Sequence, residues 1–163
     1  MQYTLSVLVE NHAGVLSKIS GLFSRRGFNI DSLAVGVTSN PDVSRITIVA
    51  NGDEYVVEQL EKQLNKVIPV IKVKRLNNGE FISRELIMIK VHCAASNRAE
   101  IIKTVEIMQA KIVDVAQSCV TVEYCECTSR VETLIDLLKP YGIREIVRTG
   151  TIAIDRGNTA LSV

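Results

Sequence analysis

The chain has 163 residues, of which 47% are hydrophobic and 23% are charged, and its formal net charge is +1. This composition excludes a disordered chain, a collagen-like repeat and a disulfide-stabilised miniprotein, and the length predicts about one globular domain. The near-neutral charge and the absence of tryptophan disfavour a nucleic-acid-binding protein, which is usually basic and offers aromatic rings for base stacking.

The first half of the chain predicts six elements in the order β-α-β-β-α-β. They are a strand over residues 2–9, a helix from Val15 to Arg26, strands over 30–37 and 43–50, a helix capped by Asp53, and a strand over 67–76. The first helix carries an apolar stripe, made of Val15, Leu16, Ile19, Leu22 and Phe23. Gly27 is the expected stop of that helix.

The second half repeats the same order after a linker that begins at Asn77-Asn78-Gly79. Its predicted elements are a strand over 86–93, a helix opened by Asn97 and Glu100, a hairpin of strands 111–116 and 120–127, a helix opened by Ser129 and Glu132, and a strand over 143–154. We expect the tail over 156–163 to fray.

This repeated order predicts an α+β protein of two tandem ferredoxin-like βαββαβ domains. The predicted boundaries are 1–76 for the first domain, 77–83 for the linker and 84–163 for the second. In each domain, two helices should cover one face of a four-stranded antiparallel sheet, and the other face should meet solvent or a partner. The expected strand order is 4-1-3-2, which leaves strand 2 at an edge.

The sequence has no run of about 20 apolar residues that could span a bilayer. It also shows no basic region followed by an apolar stretch at its start, so we expect a cytoplasmic protein without a signal peptide and without membrane association. None of the four cysteines forms a C-x-x-C pair.

Catalytic motifs are absent from the sequence. His92 adjoins Cys93 in a predicted strand, where neighbouring side chains face opposite sides, so the pair is poorly placed to share a metal. No nucleophile-elbow, zincin or P-loop spacing occurs, and we expect no catalytic residues and no metal site in this chain.

Two further clusters allow a structural or a functional interpretation. Cys125 and Cys127 share a strand face and could meet a soft metal with Cys119 as a third ligand, although we favour two buried cysteines acting as small hydrophobes. A basic group over residues 72–75 is either a solvated face or a patch for an acidic partner.

The most informative segment lies where the first strand hands over to the first helix, at Asn11-His12-Ala13-Gly14-Val15-Leu16. The first amides of a helix lack intrahelical acceptors, and Gly14 would let a ligand carboxylate approach them closely. Asn11 adds an amide that both donates and accepts hydrogen bonds. The alternative interpretation is that Asn11 caps the helix and Gly14 only permits a tight turn.

A second segment, Arg26-Gly27-Phe28-Asn29-Ile30-Asp31-Ser32-Leu33, leads into the predicted edge strand. Because this strand is apolar, symmetric pairing with a second copy of the chain would cover its unpaired backbone. A site formed by the Gly14 loop of one chain and Asn29 of the other would follow from such a homodimer.

Together, these two segments resemble the start of an ACT domain, a small regulatory amino-acid-binding module. The residues of these two segments are most similar to those of the regulatory small subunit of acetohydroxyacid synthase, also called acetolactate synthase. Asn77-Asn78-Gly79 and Arg84-Glu85-Leu86 continue the resemblance, which extends over essentially the whole chain.

The resemblance implies a non-catalytic regulatory subunit. Such subunits activate a separate catalytic large subunit and confer feedback inhibition, usually by valine, on branched-chain amino-acid biosynthesis. Thiamine diphosphate, FAD and Mg are expected on the catalytic subunit and no cofactor on this chain.

Carried over to this sequence, the family's effector site comprises Asn11, His12, Ala13, Gly14, Val15 and Leu16, with Asn29 and Ile30 across a dimer interface. In this assignment Asn11 and the helix amides hold the valine carboxylate, and Asn29 holds the ammonium group or fixes the loop. Val15, Leu16 and Ile30 form the apolar recess.

Three other functions are compatible with parts of the sequence. A free-standing ACT-type amino-acid sensor would share every feature of the first half. An RNA-binding module uses the same element order but needs sheet aromatics that are absent here, and a metallochaperone would need metal at Cys125 and Cys127.

Overall fold

The structure is a computed structural model that describes residues 1–163. The chain divides into two compact units, the first made of Met1–Ile82 and Thr151–Val163 and the second of Ser83–Gly150. Both are α+β, as predicted. None of the helices is both long enough and apolar enough to cross a membrane.

The first unit contains a four-stranded antiparallel sheet with two helices on one face. Its elements are β1 (Gln2–Glu10), α1 (Val15–Arg26), β2 (Ile30–Val37), β3 (Val43–Asn51), α2 (Glu54–Leu64) and β4 (Val70–Leu76). The strand order is β2-β3-β1-β4, so the prediction of β2 as an edge strand is confirmed. Alternation in β1 directs Leu5, Val7 and Val9 into the core beneath both helices.

The second unit repeats this arrangement. Its elements are β5 (Phe81–His92), α3 (Arg98–Met108), β6 (Lys111–Val115), β7 (Cys119–Glu126), α4 (Thr128–Leu138), a short 3-10 helix (Lys139–Tyr141) and β8 (Ile143–Arg148). The order β6-β7-β5-β8 matches that of the first sheet. Strand β5 alternates in the same way, with Ile87, Ile89 and Val91 fully buried.

The structure differs from the sequence prediction at the chain's two passages between the units. Strand β5 starts at Phe81, inside the predicted 77–83 linker. The predicted last strand over 143–154 is two strands, because the chain turns at Gly150 (φ 82°) before β9 (Ile152–Asp155) pairs with β5.

Both predicted capping boxes are wrong. Asn97 is the N-cap of α3 but makes no side-chain capping bond. Helix α4 is preceded by Cys127, which places Ser129 inside the helix. The Asp53 cap is confirmed, since its carboxylate accepts from the Val56 amide at 2.8 Å.

Candidate effector site

The loop between β1 and α1 leaves the start of the helix open. Gly14 is the N-cap residue of α1, with φ 87° and ψ −11°, and it offers no side chain to the helix amides. This left-handed conformation favours glycine. A Cβ atom added at Gly14 would meet nothing within 4 Å, so the space in front of the helix is free.

Two backbone donors therefore face this space. Val15 donates weakly to the His12 carbonyl at 3.5 Å, and the first regular helical bond runs from Lys18 to Gly14 at 3.0 Å. The amides of Leu16 and Ser17, between them, have no acceptor in the chain. They are polarised by the helix dipole and can donate to a carboxylate.

Asn11 anchors this loop to the neighbouring hairpin and does not cap the helix. Its Nδ2 donates to the Pro41 carbonyl at 2.7 Å, and its Oδ1 accepts from Ser44 Oγ at 3.0 Å. Its backbone amide also donates to the Asp42 carbonyl at 2.8 Å. Only the second hydrogen of the Asn11 side-chain amide is left to donate to a ligand carboxylate, as the prediction requires.

The remaining loop side chains are divided between solvent and core. His12 is exposed and lies 3.0 Å from Glu10 through Nε2, and its Nδ1 lies 3.0 Å from the Ala13 carbonyl. Val15 is buried in the core, and its place in an apolar recess stays a prediction. Leu16 is 43% exposed and can line a recess beside the helix start.

Asn29 and Ile30 lie at the other end of α1. Helix α1 has 12 residues and is therefore about 18 Å long. Asn29 is exposed and donates to the Asp31 carboxylate at 2.9 Å, whereas Ile30 packs partly against the core. A single chain thus does not bring Asn29 and Ile30 to the loop at Gly14.

Two polar residues that support these positions were not predicted. Ser44 holds Asn11, and Asn51 donates to the Asp31 carboxylate that also accepts from Asn29. Their partners lie 33 and 20 residues away in sequence. No local pattern indicates such pairings, which arise only from strand register.

The structure also resolves the other candidate clusters. Cys125 is exposed and Cys127 is partly exposed, so the interpretation as two buried hydrophobes is wrong. Cys119 begins β7 and Cys125 is six residues further on, about 20 Å along a strand, which makes Cys119 unsuitable as a third ligand. No group of three or more His, Cys, Asp or Glu side chains is placed to hold a metal ion.

Cys127 is the N-cap residue of α4. A hydrogen bond with Ser129, whose Oγ lies 3.4 Å from Sγ, lowers the pKa of the Cys127 thiol, and the Arg130 backbone amide adds to this effect. The thiol therefore takes part in the hydrogen bonds at the start of α4.

The basic group over residues 72–75 is paired within the first unit and is not a free patch. Lys74 forms an ion pair with Asp155 at 2.7 Å, and Arg75 forms one with Glu54. The Arg75 guanidinium also lies over the Tyr3 ring, 4.6 Å from its centroid. The third cationic residue of this group, Lys72, donates to the Ser162 carbonyl at 3.0 Å.

The comparisons with known proteins place both halves of the chain in one family. A family model described as AHAS small subunit-like ACT domain matches residues 5–72, and one described as Small subunit of acetolactate synthase matches residues 84–157. The chain belongs to the acetolactate synthase small-subunit family. The expectation drawn from the two N-terminal segments is thereby confirmed, including the ACT domain.

Relatives in this small-subunit family align over nearly the full chain. The probable acetolactate synthase small subunit of Archaeoglobus fulgidus is 48% identical over 158 residues, covering 97% of this chain and 99% of that protein. The small subunit of Mycolicibacterium smegmatis is 48% identical over 155 residues, covering 95% and 91% respectively. The crystal structure of the Thermotoga maritima small subunit superposes with a TM-score of 0.90 at 38% identity, covering 98% of this chain and 99% of that one.

Proposed function

We propose that this chain is the non-catalytic regulatory subunit of an acetolactate synthase. It binds a catalytic large subunit, raises that subunit's activity and makes the activity sensitive to valine. The observation that carries this proposal is the uncapped start of α1 behind Gly14, in a chain of the small-subunit family.

The geometry of the loop suits the carboxylate of an amino acid. A carboxylate in front of Gly14 accepts from the Leu16 and Ser17 amides, and the absence of a side chain at Gly14 allows the close approach that these bonds need. Leu16, which is exposed, supplies apolar surface for the isopropyl group. Such a recess separates valine from leucine or isoleucine by only about 1–3 kcal/mol per methylene.

A homodimer completes the site by pairing β2 with β2. Strand β2 is an edge, and its residues Val35 and Val37 are exposed. In a twofold antiparallel pair, the start of one β2 lies beside the end of the other. Val37 at that end pairs with Ser44, which holds Asn11, so the partner's β2 brings its start toward the Gly14 loop.

In this arrangement the proposed site residues have distinct roles. Asn29 and Ile30 of one chain close the site over the loop at residues 11–16 of the other, with Asn29 receiving the ammonium group through its side-chain oxygen. Asn11 and His12 shape the loop, Ala13 and Gly14 leave room, and Val15 fixes the helix in the core.

The cofactors of the reaction are assigned to the catalytic subunit. Thiamine diphosphate supplies the carbanion chemistry of the synthase reaction there, with FAD and Mg. The role of this chain in the proposal is binding and regulation.

Reconstitution with the cognate catalytic subunit tests the proposal. The purified chain should raise the rate of acetolactate formation, and valine added to the mixture should suppress that rise. If the chain leaves the activity of the catalytic subunit unchanged, the regulatory proposal is wrong. Valine binding without co-purification of a synthase would instead identify a free-standing sensor.

A further inference from the structure

The second face of the first sheet is buried, although neither α1 nor α2 covers it. Strand alternation directs Leu5 and Val7 toward the helices and their neighbours toward the opposite side. The buried side chains of this opposite face are Thr4, Ser6, Leu8, Val43, Thr47, Val49 and Leu76. We call the segment Thr151–Val163, which belongs to this unit, the C-terminal strap.

The strap crosses the sheet from one edge to the other. At the β2 edge, the Thr151 amide donates to Ser32 Oγ at 2.7 Å. In the middle, Arg45 of β3 donates to the Ala153 carbonyl at 2.9 Å. At the opposite edge, Lys74 of β4 pairs with the largely buried Asp155 carboxylate at 2.7 Å.

The polar groups beneath the strap are incompletely matched. Ser6 Oγ, Arg45 Nε and Asp155 Oδ2 are buried and have no hydrogen-bond partner. Burial lowers the pKa of Arg45, and the nearby Asp155 carboxylate opposes that effect. Unsatisfied buried polar groups cost free energy, so these atoms weaken the packing of the strap on the sheet. The contacts of Ser32, Arg45 and Lys74 hold the strap in place.

The strap also joins both places where the chain passes between the units. It follows directly on Gly150, the last residue of the second unit. Its strand β9 pairs with β5, and the Arg156 amide donates to the Glu80 carbonyl at 2.8 Å, just before β5 starts. The strap is therefore tied to the chain by a hydrogen bond at Glu80 and by the peptide bond at Gly150.

We propose that the C-terminal strap senses the position of β2 and transmits effector binding from the ACT domain to the rest of the chain. This inference rests on the proposed function, since it places the effector at Asn29 and Ile30. Ser32 lies two residues beyond Ile30 on the same strand and holds the first residue of the strap. Effector binding that moves the start of β2 moves Ser32, and the strap follows.

The coupling requires two arrangements of the strap that the effector distinguishes. In one, the Ser32, Arg45 and Lys74 contacts described above are made. In the other, the contact at Ser32 is changed. The effector thus needs no contact with the strap itself.

Hydrogen exchange in the full chain tests the inference directly. Saturating valine, with its binding verified by calorimetry, should change the exchange rate of the amides over residues 151–155 by about fivefold or more. The Ser32→Ala variant, which removes the acceptor of the Thr151 amide, should bind valine with an affinity within about twofold of the parent and lose the change in exchange.

A second pair of variants separates coupling from binding in the reconstituted synthase. Asp155→Asn weakens the anchor at Lys74, and we expect the ratio of activities without and with saturating valine to fall by about fivefold or more. Asp136→Asn is the matched control, because it removes the same charge from the exposed Asp136–Lys139 ion pair and should leave the ratio unchanged.

The outcomes distinguish the two proposals. If valine binds and exchange over residues 151–155 does not respond, the strap inference is wrong and the proposed function stands. If valine does not bind the chain at all, the effector site and the strap inference fall together. If Asp155→Asn does not fold, the hydrogen-exchange result for Ser32→Ala, which removes a single hydroxyl, tests the inference by itself.

Discussion

At the residue scale, Asn11 and Gly14 divide the tasks of the β1–α1 loop. The Asn11 amide is held by Pro41 and Ser44, so it fixes the loop against the β2–β3 hairpin. Gly14 keeps the helix start open through its left-handed backbone. The segment was predicted because open helix amides behind a glycine, next to an asparagine side chain, suit a ligand carboxylate. The partners of Asn11 depend on strand register and were not predicted.

The Gly14→Asp substitution should weaken effector binding. A carboxylate placed before the Leu16 and Ser17 amides occupies their donors and repels the valine carboxylate, and we expect affinity to fall at least about tenfold, or about 1.4 kcal/mol. Isothermal titration calorimetry with valine measures this. Gly79→Asp is the control, since Gly79 has the same φ of 87° and the same open space. Equal valine affinity in both variants would exclude the Gly14 site.

Glu54 gives the first unit a pH-dependent contact at the residue scale. Its carboxylate accepts from Arg75 and from the Tyr3 hydroxyl, the latter at 3.2 Å. The hydrogen bond from Arg75 lowers the pKa of Glu54 below its ordinary value of 4.5. A carboxyl with a lowered pKa contributes stability that is complete above the ordinary value and is lost as the pH falls through the lowered one.

Glu54→Gln should therefore lower the melting temperature at neutral pH and cease to matter in acid. We expect the difference from the parent to be constant above pH 4.5 and to close as the pH falls through the lowered pKa of Glu54. Glu58→Gln on the same helix is the control, because its pair with Lys62 is exposed at 3.6 Å and should have a smaller effect at neutral pH. A difference that persists unchanged in acid would contradict this role of Glu54.

At the element scale, periodicity predicted which segments form strands and helices, and long-range pairing decided where they end. Strand β5 begins five residues before the predicted start at Leu86, and these residues include the polar Ser83, Arg84 and Glu85. Glu85 is buried because Arg148, 63 residues away, pairs with it. A carboxylate in a strand pattern indicates an exposed position until its partner is known.

The edge strand β2 supports a prediction about assembly. Val35→Lys puts a charge on a strand that is proposed to pair with its own copy, and lysine at an edge opposes such pairing. We expect a shift from dimer to monomer in sedimentation velocity, with the melting temperature of the fold largely retained. Val113→Lys on the other sheet's edge strand β6 is the matched control, since Val113 is 49% exposed and Val35 47%. A Val35→Lys variant that stays dimeric would place the dimer interface elsewhere.

At the scale of the whole molecule, the two halves share an order of elements but differ in which part of the chain builds them. The order of elements predicted two similar domains, whereas the last 13 residues, Thr151–Val163, belong to the first unit. The contact between Ser32 and Thr151 spans 119 residues of sequence. Neither periodicity nor turn chemistry carries information at that distance, so residues 143–154 were predicted as one strand of the second domain and residues 156–163 were expected to fray.

Each unit nevertheless has a hydrophobic core of its own, which predicts separate responses to core mutations. Leu60 lies in the core of the first unit and Leu134 in that of the second, and both are essentially inaccessible to solvent. Truncation of either to alanine leaves a cavity and should cost about 2–5 kcal/mol. Hydrogen exchange followed by mass spectrometry should show the loss of protection in the unit that carries the substitution.

The two variants serve as each other's control, because they remove the same atoms from equally buried sites. Leu60→Ala should expose amides of β1, β3 and the strap, because β1 and β3 supply the core around Leu60 and the strap belongs to the same unit. Leu134→Ala should expose amides of β5, β7 and α3, which supply the second core. A strap that loses protection with Leu60→Ala and keeps it with Leu134→Ala is a structural part of the ACT unit. The reverse pattern would assign residues 151–163 to the second unit and remove the physical basis for coupling through Ser32.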